Sequence, residues 1–140
     1  MYITPSKLKK TMSDKVQFQM EFEVKSSTHI LYNMISTPSG LSEWFADNVN
    51  IKDDEYTFVW DDSEEIAKRV NSKKGEYIRF QWEDDFEEGN KCFFEIKIKI
   101  DELTNDKALI ITDFAEEDEI DEAKLLWENQ IAELKMVIGS

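Results

Sequence analysis

The chain has 140 residues, 41% of them apolar, a length and composition typical of one globular domain. Its 31 acidic and 17 basic residues give a net charge of −14. This balance argues against binding to nucleic acid or to an anionic membrane surface, because both need clustered lysine and arginine. The single cysteine, Cys92, and the single histidine, His29, exclude an internal disulfide, a cysteine-rich zinc site and most histidine-based catalysis.

The ends of the chain show no targeting signal. No segment approaches the about 18 to 20 apolar residues that cross a bilayer, so we expect no membrane insertion. Residues 1–15 are polar and lack the apolar centre of a signal peptide. We predict that they form a loose extension of a single domain spanning residues 1–140. With no export signal and one thiol, a cytoplasmic location is expected.

The first predicted element is a strand over residues 16–25, where apolar and polar residues alternate with a period of two. Ser27 or Thr28 can cap a helix that follows it, and this helix has to end before Pro38. A second short helix is expected at Leu41, Trp44 and Phe45. Two helices therefore separate the first strand from the next.

The middle of the chain reads as about six short strands. Alternation returns from Val49 and is clearest in residues 56–60, 77–82 and 94–100. A weaker strand is predicted at residues 66–72 and a last one at 108–114. Turns are expected at residues 53–55, 73–75, 86–90 and 104–106.

The end of the chain changes its period from two to 3.6, which predicts a long amphipathic helix. Carboxylates at residues 116–119 precede it, where they favour the positive end of a helix dipole. Consecutive antiparallel strands with segregated helices indicate an α+β fold. The apolar stripe of the helix consists of Ile120, Ala123, Trp127, Ile131, Leu134 and Ile138.

Two segments resemble a known family. In residues 30–45 a hydrophobic helix ends in Thr37-Pro38, followed by Leu41 and the aromatic pair Trp44-Phe45. This segment resembles the helical signature of START-like (SRPBCC) domains, and in particular of the heat-shock-protein-ATPase activator homologue branch. The C-terminal stretch, with Trp127 and apolar residues four and seven positions later, resembles the closing helix of that branch. The resemblance covers residues 16–138.

The resemblance implies a helix-grip fold: a curved antiparallel sheet of about six to seven strands wrapped on a long C-terminal helix, with two short helices after the first strand. Family members bind lipids, hormones or polyketides between sheet and helix; a minority are enzymes, and others are co-chaperones or have no assigned activity. The strong negative charge of this chain departs from the family average. We identify no catalytic pattern to carry over, so we predict no catalytic residue and no cofactor.

Aromatic residues are the strongest functional indication, since ligand pockets are lined mostly by apolar and aromatic side chains. The alternative is that the same residues fill the core. The acidic runs at residues 61–65, 83–88 and 116–122 are most simply solvated turns and a helix start; they lack the spacing of an EF-hand, and we predict no metal site. The residues predicted to contact a ligand are Trp44, Phe58, Trp60, Phe80, Trp82 and Trp127.

Three functions remain open. The first is non-enzymatic binding of a hydrophobic small molecule or lipid between the sheet and the C-terminal helix. The second is a protein-interaction or co-chaperone-like regulatory module that uses its acidic surface. The third is an enzyme acting on an apolar substrate, for which Tyr32, Tyr56 and Glu95 are the polar candidates. The oligomeric state is left open by the sequence.

Overall fold

The computed structural model describes residues 15–140, which form one seven-stranded sheet and four α-helices. A 3₁₀ turn at Glu117–Glu119 leads into the last helix. The strands are β1 (Lys15–Val24), β2 (Asn48–Lys52), β3 (Glu55–Trp60), β4 (Ser63–Lys73), β5 (Tyr77–Trp82), β6 (Phe94–Ile100) and β7 (Lys107–Glu116); the helices are α1 (Thr28–Ser36), α2 (Pro38–Leu41), α3 (Glu83–Glu87) and α4 (Ile120–Ile138).

All neighbouring strands are antiparallel, in the order β1-β7-β6-β5-β4-β3-β2. The first strand, β1, therefore pairs with the last strand, β7, at one edge of the sheet. In this pairing Lys15 lies opposite Glu116. The register of β4 against β5 shifts between Arg69 and Asn71. Such a bulge bends the strand that carries it and increases the local twist. The curved sheet and the long α4 confirm the predicted α+β helix-grip fold.

The core lies between the sheet and the helices, and strand periodicity puts aromatic residues there. In β3 and β5 every second residue is buried, as the alternation predicts. Helix α4 packs against β1 and β7. Its Trp127, Ile131 and Leu134 are at most 1% exposed. The C-terminus of α4 ends on Gly139, whose φ of 72° is the left-handed conformation that glycine adopts without strain.

Three local predictions differ from the structure. Residues 83–87, which overlap the turn expected at 86–90, form the short helix α3, whose first turn carries three carboxylates that suit a helix N-terminus. The second predicted helix is the single turn Pro38–Leu41, so Trp44 and Phe45 lie beyond it. Lys15, assigned to the N-terminal extension, instead begins β1 and is buried. The rest of that extension, residues 1–14, lies outside the described residues.

Candidate functional site

An open groove of about 480 Å³ lies between α4 and the segment of residues 42–47 that joins α2 to β2. Its apolar surface comes from Trp44, Phe45, Trp60 and Leu126. Its polar side chains come from both walls. The complete lining is Ser42, Glu43, Trp44, Phe45, Ala46, Asp47, Trp60, Leu126, Asn129, Gln130 and Glu133.

The short helix α2 holds the first wall of this groove in place. Thr37 caps it, because its hydroxyl oxygen accepts a hydrogen bond from Gly40 N at 3.0 Å. Gly40 packs so closely on α1 that a Cβ atom there would lie 2.2 Å from Asn33 O. Only glycine permits this approach, and it sets the position of the residues that follow.

Hydrogen bonds then fix the two tryptophans that face the groove. Trp44 Nε1 donates to Met34 O at 2.8 Å, and Trp60 Nε1 donates to Phe45 O at 3.1 Å. Trp44 and Trp60 are 6% and 8% exposed. Because both indole N–H groups are used within the protein, these rings offer a ligand apolar surface and not hydrogen-bond donors.

The second wall is one side of α4. Leu126, Asn129, Gln130 and Glu133 stand at positions i, i+3, i+4 and i+7, which share a helix face. Gln130 Nε2 donates to Phe45 O at 3.4 Å and so bridges the two walls. Gln130 Oε1 is buried and has no hydrogen-bond partner among residues 15–140.

The groove is negatively charged. Glu43, Asp47 and Glu133 are exposed along its lining. Within the described part of the chain, none of the three forms an ion pair with a basic side chain. The lining itself contains no lysine or arginine. The lining therefore carries three carboxylates and no basic side chain.

Of the six residues predicted to contact a ligand, the structure brings Trp44 and Trp60 into the groove lining. The other four lie deeper, in a cluster of packed rings. Phe45 connects the two layers: its ring centroid lies 5.0 Å from Phe58 and 6.0 Å from Trp127. The other two predicted residues, Phe80 and Trp82, pack on Phe94. The ring centroid of each lies 5.1 Å from that of Phe94.

The polar candidates for catalysis lie outside the groove lining. Tyr56 is buried and donates its hydroxyl to Ser36 O at 2.7 Å; burial raises the pKa of this tyrosine above its usual value. Glu95 pairs with Arg79 at 2.9 Å, as expected for an arginine facing away from the core. Tyr32 is partly buried against the core.

One end of the core holds a buried polar cluster that the sequence did not predict. Lys15 Nζ lies 3.1 Å from Asp85 Oδ1, and both side chains are fully buried. Asn90 Nδ2 donates to the same oxygen at 3.0 Å, and Asn90 Oδ1 accepts from Cys92 N at 2.8 Å. Burial raises the pKa of the Cys92 thiol to about 11. Asp85 and Glu116 thus correct the expectation that their acidic runs are wholly solvated.

No group of three or more histidine, cysteine or acidic side chains in residues 15–140 is arranged to hold a metal ion. Within the same residues, no helix combines the length and the apolar character needed to cross a membrane.

Several groove residues were absent from the predicted ligand set. Phe45 belonged to the aromatic pair of the family signature, but nothing in its local pattern distinguishes it from a core residue. Asn129, Gln130 and Glu133 flank the apolar stripe of α4 at helical spacing, so the spacing could have grouped them. The wall that they face is set by contacts between residues that are far apart in the chain, such as Gln130 and Phe45, which are 85 residues apart. Helical spacing alone does not indicate such contacts.

Comparison with known proteins identifies relatives of the whole domain. A family model described as START-like superfamily domain matches residues 12–140. The solution structure of BfR322 from Bacteroides fragilis is 40% identical, with a TM-score of 0.64 over 89% of this chain and 91% of that one. The Aha1 dimer from Colwellia psychrerythraea is 15% identical, with a TM-score of 0.74 over 88% and 96%. MLL2253 from Mesorhizobium loti is 10% identical, with a TM-score of 0.70 over 89% and 97%. No curated protein matched the sequence.

Proposed function

Since the chain belongs to the START-like superfamily, whose members commonly bind hydrophobic ligands or act as regulators, we propose that it binds a hydrophobic small molecule or lipid without chemically altering it. The binding site is the groove between α4 and residues 42–47. The observation that carries this proposal is an open groove with Trp44, Phe45, Trp60 and Leu126 on its surface.

The size and composition of the groove suit a small ligand. Its volume of about 480 Å³ falls within the range of about 300 to 1,000 Å³ that is usual for ligand sites. Each Å² of apolar ligand surface buried there contributes about 25 cal/mol. Leu126 and the exposed 6% and 8% of Trp44 and Trp60 supply this surface without unfolding any part of the core.

The six predicted residues have two roles in this proposal. Trp44 and Trp60 contact the ligand directly. Phe58, Phe80, Trp82 and Trp127 form the packed layer behind Phe45 and hold the groove surface rigid. A rigid surface reduces the entropy lost on binding.

Binding without catalysis is favoured by the position of the reactive candidates. The hydroxyl of Tyr56 is used by Ser36 O, and Glu95 is paired with Arg79 on the outer side of the sheet. An enzyme needs a polar group of suitable pKa beside its substrate. We also propose a cytoplasmic location, because the free thiol of Cys92 is compatible with a reducing compartment.

The test uses two leucines that are neighbours in α4. Leu126 lines the groove, whereas Leu125 is 57% exposed and outside the lining. We expect Leu126→Glu to weaken binding of the neutral apolar dye Nile red about tenfold or more, because the new carboxylate would be desolvated by the dye. Leu125→Glu is the matched control, with the same substitution and the same change in net charge.

Fluorescence titration of Nile red measures this difference, and native mass spectrometry of the protein purified gently from its host identifies a natural ligand. A stoichiometric extra mass that is lost on denaturation, and that is absent from Leu126→Glu but present in Leu125→Glu, supports the proposal. Equal affinities of the two variants for Nile red, together with a ligand-free mass for the wild type, would refute it.

A further inference from the structure

We infer that the ligand of the groove is an amphiphile with an apolar body and a protonated amine. The inference rests on the proposed function and specifies its ligand class. It depends on three properties of the lining: the sign of its charge, the use of both indole N–H groups within the protein, and the excess of hydrogen-bond acceptors.

The charge of the lining selects against anionic ligands. Glu43 and Asp47 stand on the segment before β2, and Glu133 stands opposite them on α4. No basic side chain lines the groove, and within residues 15–140 no ion pair neutralises these carboxylates. A fatty-acid carboxylate would meet like charges from both walls, whereas an ammonium group would meet three opposite charges.

The tryptophans give an anion nothing to bind. Their N–H groups are already bound to Met34 O and Phe45 O. Trp44 and Trp60 are 6% and 8% exposed, so they offer a ligand a small apolar surface and no hydrogen-bond donor.

The hydrogen-bonding groups of the groove are mainly acceptors. The hydroxyl of Ser42 donates to Pro38 O at 2.6 Å, so its proton is used within the protein. Gln130 Oε1 is buried without a partner in the described part of the chain. A ligand N–H that reaches this oxygen while Nε2 keeps its bond to Phe45 O would remove the cost of a buried unpaired acceptor. A primary ammonium carries three such donors.

The size of the site favours a small molecule over a segment of another protein. Protein interfaces that are stable use about 20 to 30 residues on each partner, whereas this groove is a single concavity lined by eleven residues. Its aromatic surface and its carboxylates lie within the same concavity. One ligand can therefore contact both, with its chain on the rings and its amine at the rim.

The experiment compares three ligands with the same ten-carbon chain: decylamine, decanol and decanoate. Each displaces Nile red from the wild-type protein below its aggregation concentration and at physiological salt, where the Debye length is about 8 Å. We expect decylamine to bind about tenfold more tightly than decanol, since exposed charge contacts contribute about a factor of two to five each. Decanoate should bind more weakly than decanol.

Two triple variants separate a local effect from a general effect of net charge. Each removes three exposed carboxylates, so their net charges are identical. Circular dichroism confirms that both remain folded. The groove variant is Glu43→Gln, Asp47→Asn and Glu133→Gln; the control variant is Glu87→Gln, Glu88→Gln and Glu102→Gln.

Loss of the amine preference in the groove variant, with the preference retained in the control, supports the inference. An equal loss in both variants would show attraction by overall charge and would overturn it. Decanol binding at least as tightly as decylamine would also overturn it, while leaving the proposed function intact. If neither Nile red nor any of the three ligands binds the wild type, the proposed function itself fails.

Discussion

Replacing Lys15 by methionine is expected to cost about 3 to 5 kcal/mol of folding free energy, because it leaves a buried carboxylate without its cation. Lys15 Nζ lies 3.1 Å from Asp85 Oδ1, and the two side chains are 0% and 1% exposed. Asn90 Nδ2 donates to the same oxygen at 3.0 Å. This neutral donor satisfies one lone pair of the carboxylate but does not compensate its charge.

The loss in stability should depend on pH in a direction that follows from the pKa of Asp85. Burial raises this pKa above its usual value of 3.8, and the hydrogen bond and charge of Lys15 oppose the rise. A carboxyl with a raised folded-state pKa destabilises the fold when ionised, so its penalty is largest above that pKa, decreases as the pH falls through it, and is gone only below the usual value of 3.8. Without Lys15 the pKa rises further. The variant should therefore recover part of its lost stability between about pH 7.5 and about pH 5.

Urea denaturation of the wild type and the variant at these two pH values measures the effect. Lys99→Met is the control: Lys99 Nζ lies 3.8 Å from Glu21, both side chains are more than half exposed, and its loss should cost less than about 1 kcal/mol. If Lys15→Met lowers the free energy of unfolding no more than Lys99→Met does, then Lys15 does not compensate the buried charge of Asp85. A difference from wild type that grows as the pH falls would refute the assigned direction of the pKa.

Two further predictions concern single sites. Gly40→Ala should destabilise the protein by about 2 kcal/mol or more, because the added Cβ would lie 2.2 Å from Asn33 O and 2.7 Å from Met34 Cα, which are backbone atoms that cannot rotate away; an unchanged melting temperature would contradict this. Cys92, whose pKa is about 11 because it is buried, should react with Ellman's reagent slowly in the folded protein at about pH 8 and rapidly in urea. Fast stoichiometric labelling of the folded protein would show that this thiol is accessible.

Local periodicity was sufficient to predict most of the helices and strands, whereas their helix-grip arrangement was implied by the family resemblance. The alternation in residues 56–60 and 77–82 corresponds to β3 and β5, whose alternate residues are buried. The 3.6-residue period corresponds to α4, with Trp127 and Ile131 in the core. These patterns are local because a strand or an amphipathic helix repeats its environment every second or every third to fourth residue.

Contacts between distant segments were not predictable in this way. Lys15 and Asp85 are 70 residues apart, and nothing near either residue marks it as half of a buried pair. The same limit applies to the groove. The aromatic alternation predicts that Phe58 and Trp60 face the core, but only the position of α4 against the sheet separates a ring in the groove lining from one packed behind it.

If the proposed groove binds a ligand, Phe45 sets how deep that ligand can lie. Its ring stands between the groove and the inner rings of Phe58 and Trp127, and its carbonyl accepts hydrogen bonds from Trp60 and Gln130. Moving this residue inward or outward would break the ring contacts and leave the buried Trp60 N–H without its acceptor, an expensive loss. We therefore expect a ligand that leaves Phe45 in place to stay within the proposed groove. Its polar end would then lie near Glu43, Asp47 and Glu133, so Phe45 would both limit the size of the ligand and bring its charged group close to these carboxylates.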